Sequence, residues 1–278
     1  MPDRDTRAGL FPALLKHWRG QRGLSQLDLA LAADVSARHV SFLETGRSSP
    51  SESMVLRLGS TLGVPLRHIN AMLEAAGHEA VYEDSGDELP PSVAHALARL
   101  KQHQEPWPLI IVDRTYAVRD LNRGALRLLS AVLGLPLPAE VPPPEVLRSM
   151  GMNLAKLSFD PAGAHPAIVN FDDLGRELLW RIQREVLADP DDQALRALLD
   201  DLLAMPTVDP DWRTVDLSVT SDPALAVVLR SGDVVLRFLT MVTAFQAPQN
   251  VSVEDLRVEQ WFPSDEATAE ACRSLVEG

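Results

Sequence analysis

The sequence predicts an α+β chain of two domains, an all-helical one followed by one built on an antiparallel sheet with flanking helices. Three observations carry this reading. Residues 8–80 hold five short runs with apolar residues at helical spacing. Tyr82 to Ser92, "YEDSGDELPPS", is acidic and carries proline and glycine, the composition of a linker. Beyond it come two strand-like runs, several helices and then three β-rich runs. The expected divisions are therefore 8–80, a linker at 81–91, and 92–278. A chain of 278 residues with 46% hydrophobic content is long and apolar enough for two cores.

The helical part is read element by element. "FPALLKHWRGQRG" makes a first helix with Leu14, Leu15 and Trp18 as its inward stripe. In "LSQLDLALAADVSARHVSFLETGRSSPS", Ser25 can cap a helix whose third residue, Asp28, returns the bond, a reciprocal capping box. Leu27, Ala30 and Leu31 are expected to share that helix's packed face. Asp34-Val35-Ser36 interrupts the pattern, and Ser36 can cap the third helix. There Val40 and Leu43 point inward, while Arg38, Ser41 and Thr45 fall on the opposite side; Gly46 stands where a left-handed stop is expected. Glu44 lies towards the inner side, within reach of an arginine such as Arg19 or Arg22. "SESMVLRLGSTLGV" gives a fourth helix through Met54, Val55, Leu58 and Leu62, and "PLRHINAMLEAAG" a fifth, opening at Pro65 and closing at Gly77.

In the second part "SVAHALARLKQH" is a helix with Val93, Leu97 and Leu100 inward. "WPLIIVDRTYAVRDLN" reads as a hairpin, Leu109–Val112 out and Tyr116–Leu121 back across Asp113-Arg114-Thr115. "RGALRLLSAVL" is a helix, followed by the proline-rich break "GLPLPAEVPPPEV". Longer helices are expected at about Asp172–Ala188 and Asp192–Ala204. "ALAVVLR" and "VVLRFLTMVTAF" form a hairpin across "SGD", "EDLRVEQWF" adds a fifth strand, and "DEATAEACRSLVEG" is a closing helix.

The net charge of −13 is unevenly placed. Residues 1–80 hold nine Lys/Arg against eight Asp/Glu, a net of +1, and the remaining 17 basic and 31 acidic residues give −14. The total therefore does not argue against an anionic partner for the first domain, although the second would have to be held away from it. A lone Cys272 excludes an internal disulfide and a cysteine-rich zinc site. No apolar run approaches the roughly 20 residues needed to span a bilayer, and "MPDRDTRAGL" lacks a secretory layout, so a soluble, cytoplasmic protein is expected. The histidines at 17, 39, 68, 78, 95, 103 and 165 show no metal-binding i, i+4 pair, and neither a glycine-rich phosphate loop nor a G-x-S-x-G elbow occurs. His165 in "AGAHPAIVN" reads as part of an ordered loop. Neither an enzyme nor a metal or organic cofactor is expected.

By periodicity alone the five helices suit a bundle used for protein contacts as well as a pair of helices that sits on DNA. The outward face of the third helix tips the balance. It carries Arg38, His39 and Ser41, with short Ser36 and Ala37 letting the helix approach closely. Gln26 begins the preceding helix, where its amide can meet a phosphate or an adenine edge, and Arg47 just beyond the third helix is placed for a phosphate.

The run Leu24-Ser25-Gln26, Leu29-Ala30, Val35-Ser36, Val40-Ser41-x-Leu43-Glu44-x-Gly46-Arg47 and Pro50-Ser51 closely resembles the Cro-like helix-turn-helix of the xenobiotic-response-element family of bacterial regulators. The likeness covers residues 10–77. It implies that Ser36–Thr45 is a recognition helix in the major groove of an operator in double-stranded DNA. Arg38 and Ser41 then become base readers, Ala37 a thymine-methyl contact, and Gln26 and Arg47 positioning contacts, beside Ser36 and His39.

Residues 90–275 resemble the ligand-binding domain of the MmyB-like transcription regulators, with a PAS-like fold. The carrying pieces are "PLIIVDRTYAVRDLN", "MNLAKLSFDPAGAHPAIVNFDDL", "LADPDDQALRALLDDLL", "DPDW" and "LRSGDVVLRFLTMVTAFQAPQNVSVEDLRVEQWFPSDEATA". The resemblance implies a sensor holding a fatty acid or similar small lipophilic effector between a five-stranded antiparallel sheet and its helices. Ile111, Val118, Phe159, Leu179, Trp180, Val228, Leu236 and Phe238 are the expected wall, unless they fill a solid core. Asn122, Asn153, Arg176 and Arg181 are candidates for a polar head. The expectation is a homodimeric one-component regulator acting as a repressor, its effector changing the relative placement of the two domains. The alternative is a DNA-binding regulator whose acidic domain is a ligand-free platform for protein interaction or dimerisation.

Overall fold

The computed structural model describes residues 10–86, 88–136, 140–214, 225–245 and 249–277. Within these, contacts gather the chain into two compact units. One takes the described residues up to Leu89 together with a short later segment ending at Glu254; the other takes Pro90 onward and resumes at Asp255.

The first unit contains α1 (Leu10–Gln21), α2 (Gln26–Ala32), α3 (Ala37–Glu44), α4 (Glu52–Thr61) and α5 (Leu66–Ala75). Phe11, Leu15 and Trp18 of α1, Val40 and Leu43 of α3, Val55 and Leu58 of α4, and Ile69, Met72 and Leu73 of α5 close over one apolar core. The capping box forms as expected: Asp28 N donates to Ser25 Oγ at 3.1 Å, and Ser25 N to Asp28 Oδ2 at 2.9 Å. Asp34 adopts φ 53°, a left-handed turn that a short acidic side chain tolerates, and this swings the chain from α2 into α3. Ser36 then caps α3 by accepting from His39 N, and Gly46 at φ 68° ends the segment.

In α2 the buried phase is Leu29, Ala30 and Ala33, while Leu27 and Leu31, expected inside, are 57% and 73% exposed. Residues 29–33 are all apolar, so more than one phase of a seven-residue helix satisfies the pattern, and packing against α3 and α4 selects the alanine-rich one.

This unit is completed from far along the chain. A short helix, Val251–Glu254, buries Val251 in the helical core. Val251 N donates to Glu83 O at 2.9 Å, Asn250 Nδ2 to Ser85 Oγ at 2.6 Å, and Ser252 Oγ to Asp84 Oδ1 at 2.7 Å. Residues read as linker thus carry specific bonds. Helix α5 begins after Pro65, which offers no side-chain cap; the Glu254 carboxylate accepts from Leu66 N at 2.9 Å instead.

The second unit opens with α6 (Pro91–Gln104), β1 (Leu109–Val112), β2 (Val118–Leu121) and α7 (Arg123–Leu133). Next come α8 (Pro144–Ser149), α9 (Leu154–Phe159), a 3-10 turn at His165–Ala167, α10 (Phe171–Ala188), α11 (Gln193–Leu203) and a second 3-10 turn at Pro210–Arg213. The chain then forms β3 (Leu225–Ser231), β4 (Val234–Ala244), β5 (Arg257–Pro263) and α13 (Glu266–Glu277), with Val251–Glu254 standing between β4 and β5 as α12. The five strands pair antiparallel in the order β2-β1-β5-β4-β3. The fold is therefore α+β, as the sequence predicts.

Helices α8 and α9 stand in stretches the sequence pattern left without an element, each being only six residues long. Gly124 in α7 is set by close approach: a Cβ there would lie 2.3 Å from the Pro106 carbonyl oxygen. The sheet is covered on both sides at β1, where all four residues are buried. Ile110 and Val112 face the main core with α7, α9 and α10. On the opposite side α6 is held by Lys101 Nζ bonding Asp120 and by Gln260 Nε2 bonding Gln104 Oε1 at 3.2 Å.

Candidate functional site

The first candidate site is the outer face of α3. Val40 and Leu43 are fully buried, which orients the rest of the helix: Ser36 and Arg38 are exposed, and Ala37, His39 and Ser41 are half-exposed. The Arg38 guanidinium lies over the Phe42 ring, 5.1 Å from its centroid, on a residue that remains exposed. Arg47 is exposed just past the helix, its backbone N–H bonded to Phe42 O at 2.9 Å.

Beneath this face lies a three-helix junction. Arg19 Nε and Nη2 bind the two oxygens of Glu44 at 2.6 and 3.0 Å, and Gln26 Nε2 adds a bond of 2.7 Å to the same carboxylate. Arg19 is thus the partner of Glu44, whereas Arg22 bonds the carbonyls of Leu62 and Gly63. Burial alone would raise the Glu44 pKa; the bonds from Arg19 and Gln26 outweigh it and hold the carboxyl below the usual carboxylate range. The Gln26 bond was not foreseen from sequence. It anchors the amide at the start of α2 and ties α1, α2 and the end of α3 to one carboxylate.

The second candidate site is a cavity in the larger unit, about 710 Å³ counting its mouth. Its apolar wall comes from Leu129 and Val132 of α7, Leu154 and Leu157 of α9, Leu174 and Leu178 of α10, and Leu225, Val227 and Leu229 of β3. Ala164, Ile168 and, from β4, Val242 complete it. Its lining, mostly aliphatic with a few polar groups, is of the kind that small-molecule pockets show. The polar groups are Tyr116, Ser158, Arg181, Thr240, Glu259 and Trp261. Ser158 and Thr240 spend their hydroxyl protons on the carbonyls of Leu154 and Leu225.

The expected wall residues are placed differently. Ile111 and Val228 belong to the other phase of their strands: Val227 and Leu229 line the cavity, and Ile110 rather than Ile111 joins the main core. Strand side chains alternate with a period of two, so an error of one residue reverses the face, and runs such as "LIIV" and "AVVL" show no alternation to fix it. Val118, Phe159, Leu179, Leu236 and Phe238 are fully buried in the core but do not line the cavity. Trp180 is half-buried and donates Nε1–H to Trp212 O at 3.2 Å.

Of the head-group candidates, Arg181 lines the cavity. Asn122 and Asn153 are consumed as helix caps: Asn122 Oδ1 accepts from Leu109 N and Ala125 N, and Asn153 Oδ1 from Lys156 N. Arg176 pairs with Asp173 at 3.1 Å. Tyr116, Glu259 and Trp261 were missed. For two of these a signal exists: in "RVEQWF", placing Trp261 inward places Glu259 and Arg257 on the same face.

Among the described residues no group of His, Cys, Asp and Glu comes together as a metal site, and no helix is long and apolar enough to cross a membrane. The arrangement offers a presented helix and an apolar cavity. No curated protein matches the chain. A model of the helix-turn-helix matches residues 15–69, from within α1 to within α5, and supports DNA binding. A model of the MmyB-like transcription regulator ligand binding domain matches residues 93–275, two thirds of the chain. This protein, a DNA-binding domain joined to a ligand-binding one, belongs to the family of MmyB-like transcription regulators.

Proposed function

We propose that the chain is a cytoplasmic, operator-specific repressor whose affinity for DNA is set by a small lipophilic effector, such as a fatty acid or similar molecule, held in the cavity of the second unit. The observation that carries the effector reading is the cavity itself, walled by aliphatic side chains from three helices and two strands. For DNA, support comes from the presentation of α3, whose buried Val40 and Leu43 turn Arg38 and Ser41 outward. Arg38 and Ser41 read base edges, Ala37 meets a thymine methyl, and Ser36, His39, Gln26 and Arg47 position the backbone. One helix of eight residues makes too few contacts for high affinity, so the protein acts as a homodimer on a two-fold site with half-sites one helical turn, or a multiple, apart. The effector regulates because it binds two states of the protein unequally.

Native mass spectrometry of freshly purified protein, followed by organic extraction, tests this. The expected result is a stoichiometric adduct in the mass range of a lipophilic small molecule on a dimer. A chain at its sequence mass, with no effect of lipophilic compounds on DNA affinity, would instead make the second domain a ligand-free platform for protein interaction.

A further inference from the structure

Two strands of the cavity wall continue directly into the helical unit. Thr240 and Val242 of β4 and Glu259 and Trp261 of β5 line the cavity, and the two strands pair as far as Ala244 opposite Arg257. Val242 and Glu259 therefore stand two residues from the ends of their strands. Most of the segment between those ends, as far as Glu254, belongs to the unit of α1–α5. The other covalent connection, at Leu89–Pro90, leads into α6, which supplies no described residue of the cavity wall. A change in the shape of the wall thus has a short covalent route through β4 and β5, and none as direct through α6.

Both flanks of that segment are anchored. On the cavity side Arg257 opens β5, pairs with Glu185 of α10 at 2.9 Å, and lies over the Tyr116 ring, 5.8 Å from its centroid. Tyr116 lines the cavity, as does Arg181, one turn before Glu185 on the same helix. On the other side Glu254 accepts the Leu66 N–H that opens α5, and Val251 is buried in the helical core. Asn70, in the middle of α5, accepts from Tyr82 N at 3.0 Å and donates to Tyr82 O at 2.7 Å. It thereby fixes to α5 the strip whose next residue, Glu83, bridges to Asn250. Helix α5 is held at its start and at its middle by the same few residues. Only Asp255 and the buried Leu256 stand between Glu254 and Arg257 in the chain, so the two anchors have little slack between them.

Resting on the reading of the cavity as a lipophilic effector site, we propose that Asn250–Glu254 is the transmission element of this regulator: filling the cavity acts on α5, and so on the helix-turn-helix, through β4, β5 and the bond from Leu66 to Glu254, and not through residues 81–91. The coupling requires the hold of this segment on α5 to differ between the filled and the empty protein. Such a difference shows as a change in local opening, which amide hydrogen exchange measures.

The test uses the full chain, delipidated, with decanoate as the probe, its binding followed by isothermal titration and its effect by hydrogen exchange read by mass spectrometry. In the unaltered chain, saturation with decanoate is expected to change exchange by at least about fivefold in peptides covering Leu66–Ala75 and Asn250–Glu254, as well as in those of the cavity wall. Glu254→Ala should abolish the response of Leu66–Ala75 while the cavity peptides still respond. Inserting Gly-Gly-Ser after Leu89, which slackens the other connection, should leave the response of α5 in place. Decanoate that binds and changes the cavity peptides without changing α5 would overturn the proposal, as would a response lost on the insertion and kept in Glu254→Ala. If neither decanoate nor decan-1-ol binds, the lipophilic reading falls and the proposal with it. Where Glu254→Ala fails to fold, the unaltered chain and the insertion still decide the matter.

Discussion

Replacing Glu44 probes whether the junction under α3 holds the helix-turn-helix together. Its carboxylate accepts three side-chain hydrogen bonds, at 2.6 and 3.0 Å from Arg19 and at 2.7 Å from Gln26, and its side chain is 3% exposed, so solvent screens little. Removing one partner of a buried, hydrogen-bonded ion pair costs about 3–5 kcal/mol. Arg19 is 15% exposed and keeps its bond to Leu24 O, so it rehydrates in part and the lower end applies, about 3 kcal/mol for Glu44→Ala. That corresponds to roughly a hundredfold in the opening equilibrium of this unit. Hydrogen exchange read by mass spectrometry on peptides covering α1 to α3 measures it directly, and Glu44→Gln separates charge from shape.

The pH dependence has a definite sign. The folded Glu44 pKa is depressed, so its stabilisation is present above the unperturbed value of 4.5 and is lost as pH falls through the folded value. The variant and the original should therefore differ fully at neutral pH and converge in acid. A loss of protection below threefold at pH 7, or a difference independent of pH, would show that the junction contributes little and that core packing alone positions α3.

Arg38→Ala is expected to weaken operator binding by about 1–3 kcal/mol and to relax preference at a single base position, measured by fluorescence anisotropy across an operator panel. A loss equal on all sequences, with a shallower salt dependence, would mean that Arg38 meets phosphate instead. Phe238 is 1% exposed with its ring 5.6 Å from that of Trp261, so Phe238→Ala should cost about 3–5 kcal/mol in urea unfolding with an unchanged slope. A cost under about 1 kcal/mol would mean that the region behind the cavity wall relaxes readily instead of being tightly packed.

What the sequence by itself determined is local. The capping box at Ser25 and Asp28, the turn before Ser36, the stop at Gly46, the hairpin across Gly232 and the pairing of Glu44 with an arginine each depend on residues close together or on an unambiguous apolar phase. The outer face of α3 was legible for the same reason, because Val40 and Leu43 leave one way to turn the helix.

Tertiary structure decided whatever local pattern left degenerate. The consecutive apolar residues of α2, β1 and β3 fit either phase, and only the neighbours they pack against put Leu27 and Leu31 outside and Val227 and Leu229 at the cavity. The polar lining of the cavity joins Tyr116 from a turn, Arg181 from a helix and Glu259 from the last strand, residues far apart in the chain and brought together by the fold. Val251 and Glu254 complete a helical core and a helix start nearly two hundred residues earlier. Long-range contacts of this kind leave no periodic trace in sequence, because each consists of a single side chain whose partner is set by how the chain is folded back and not by its neighbours.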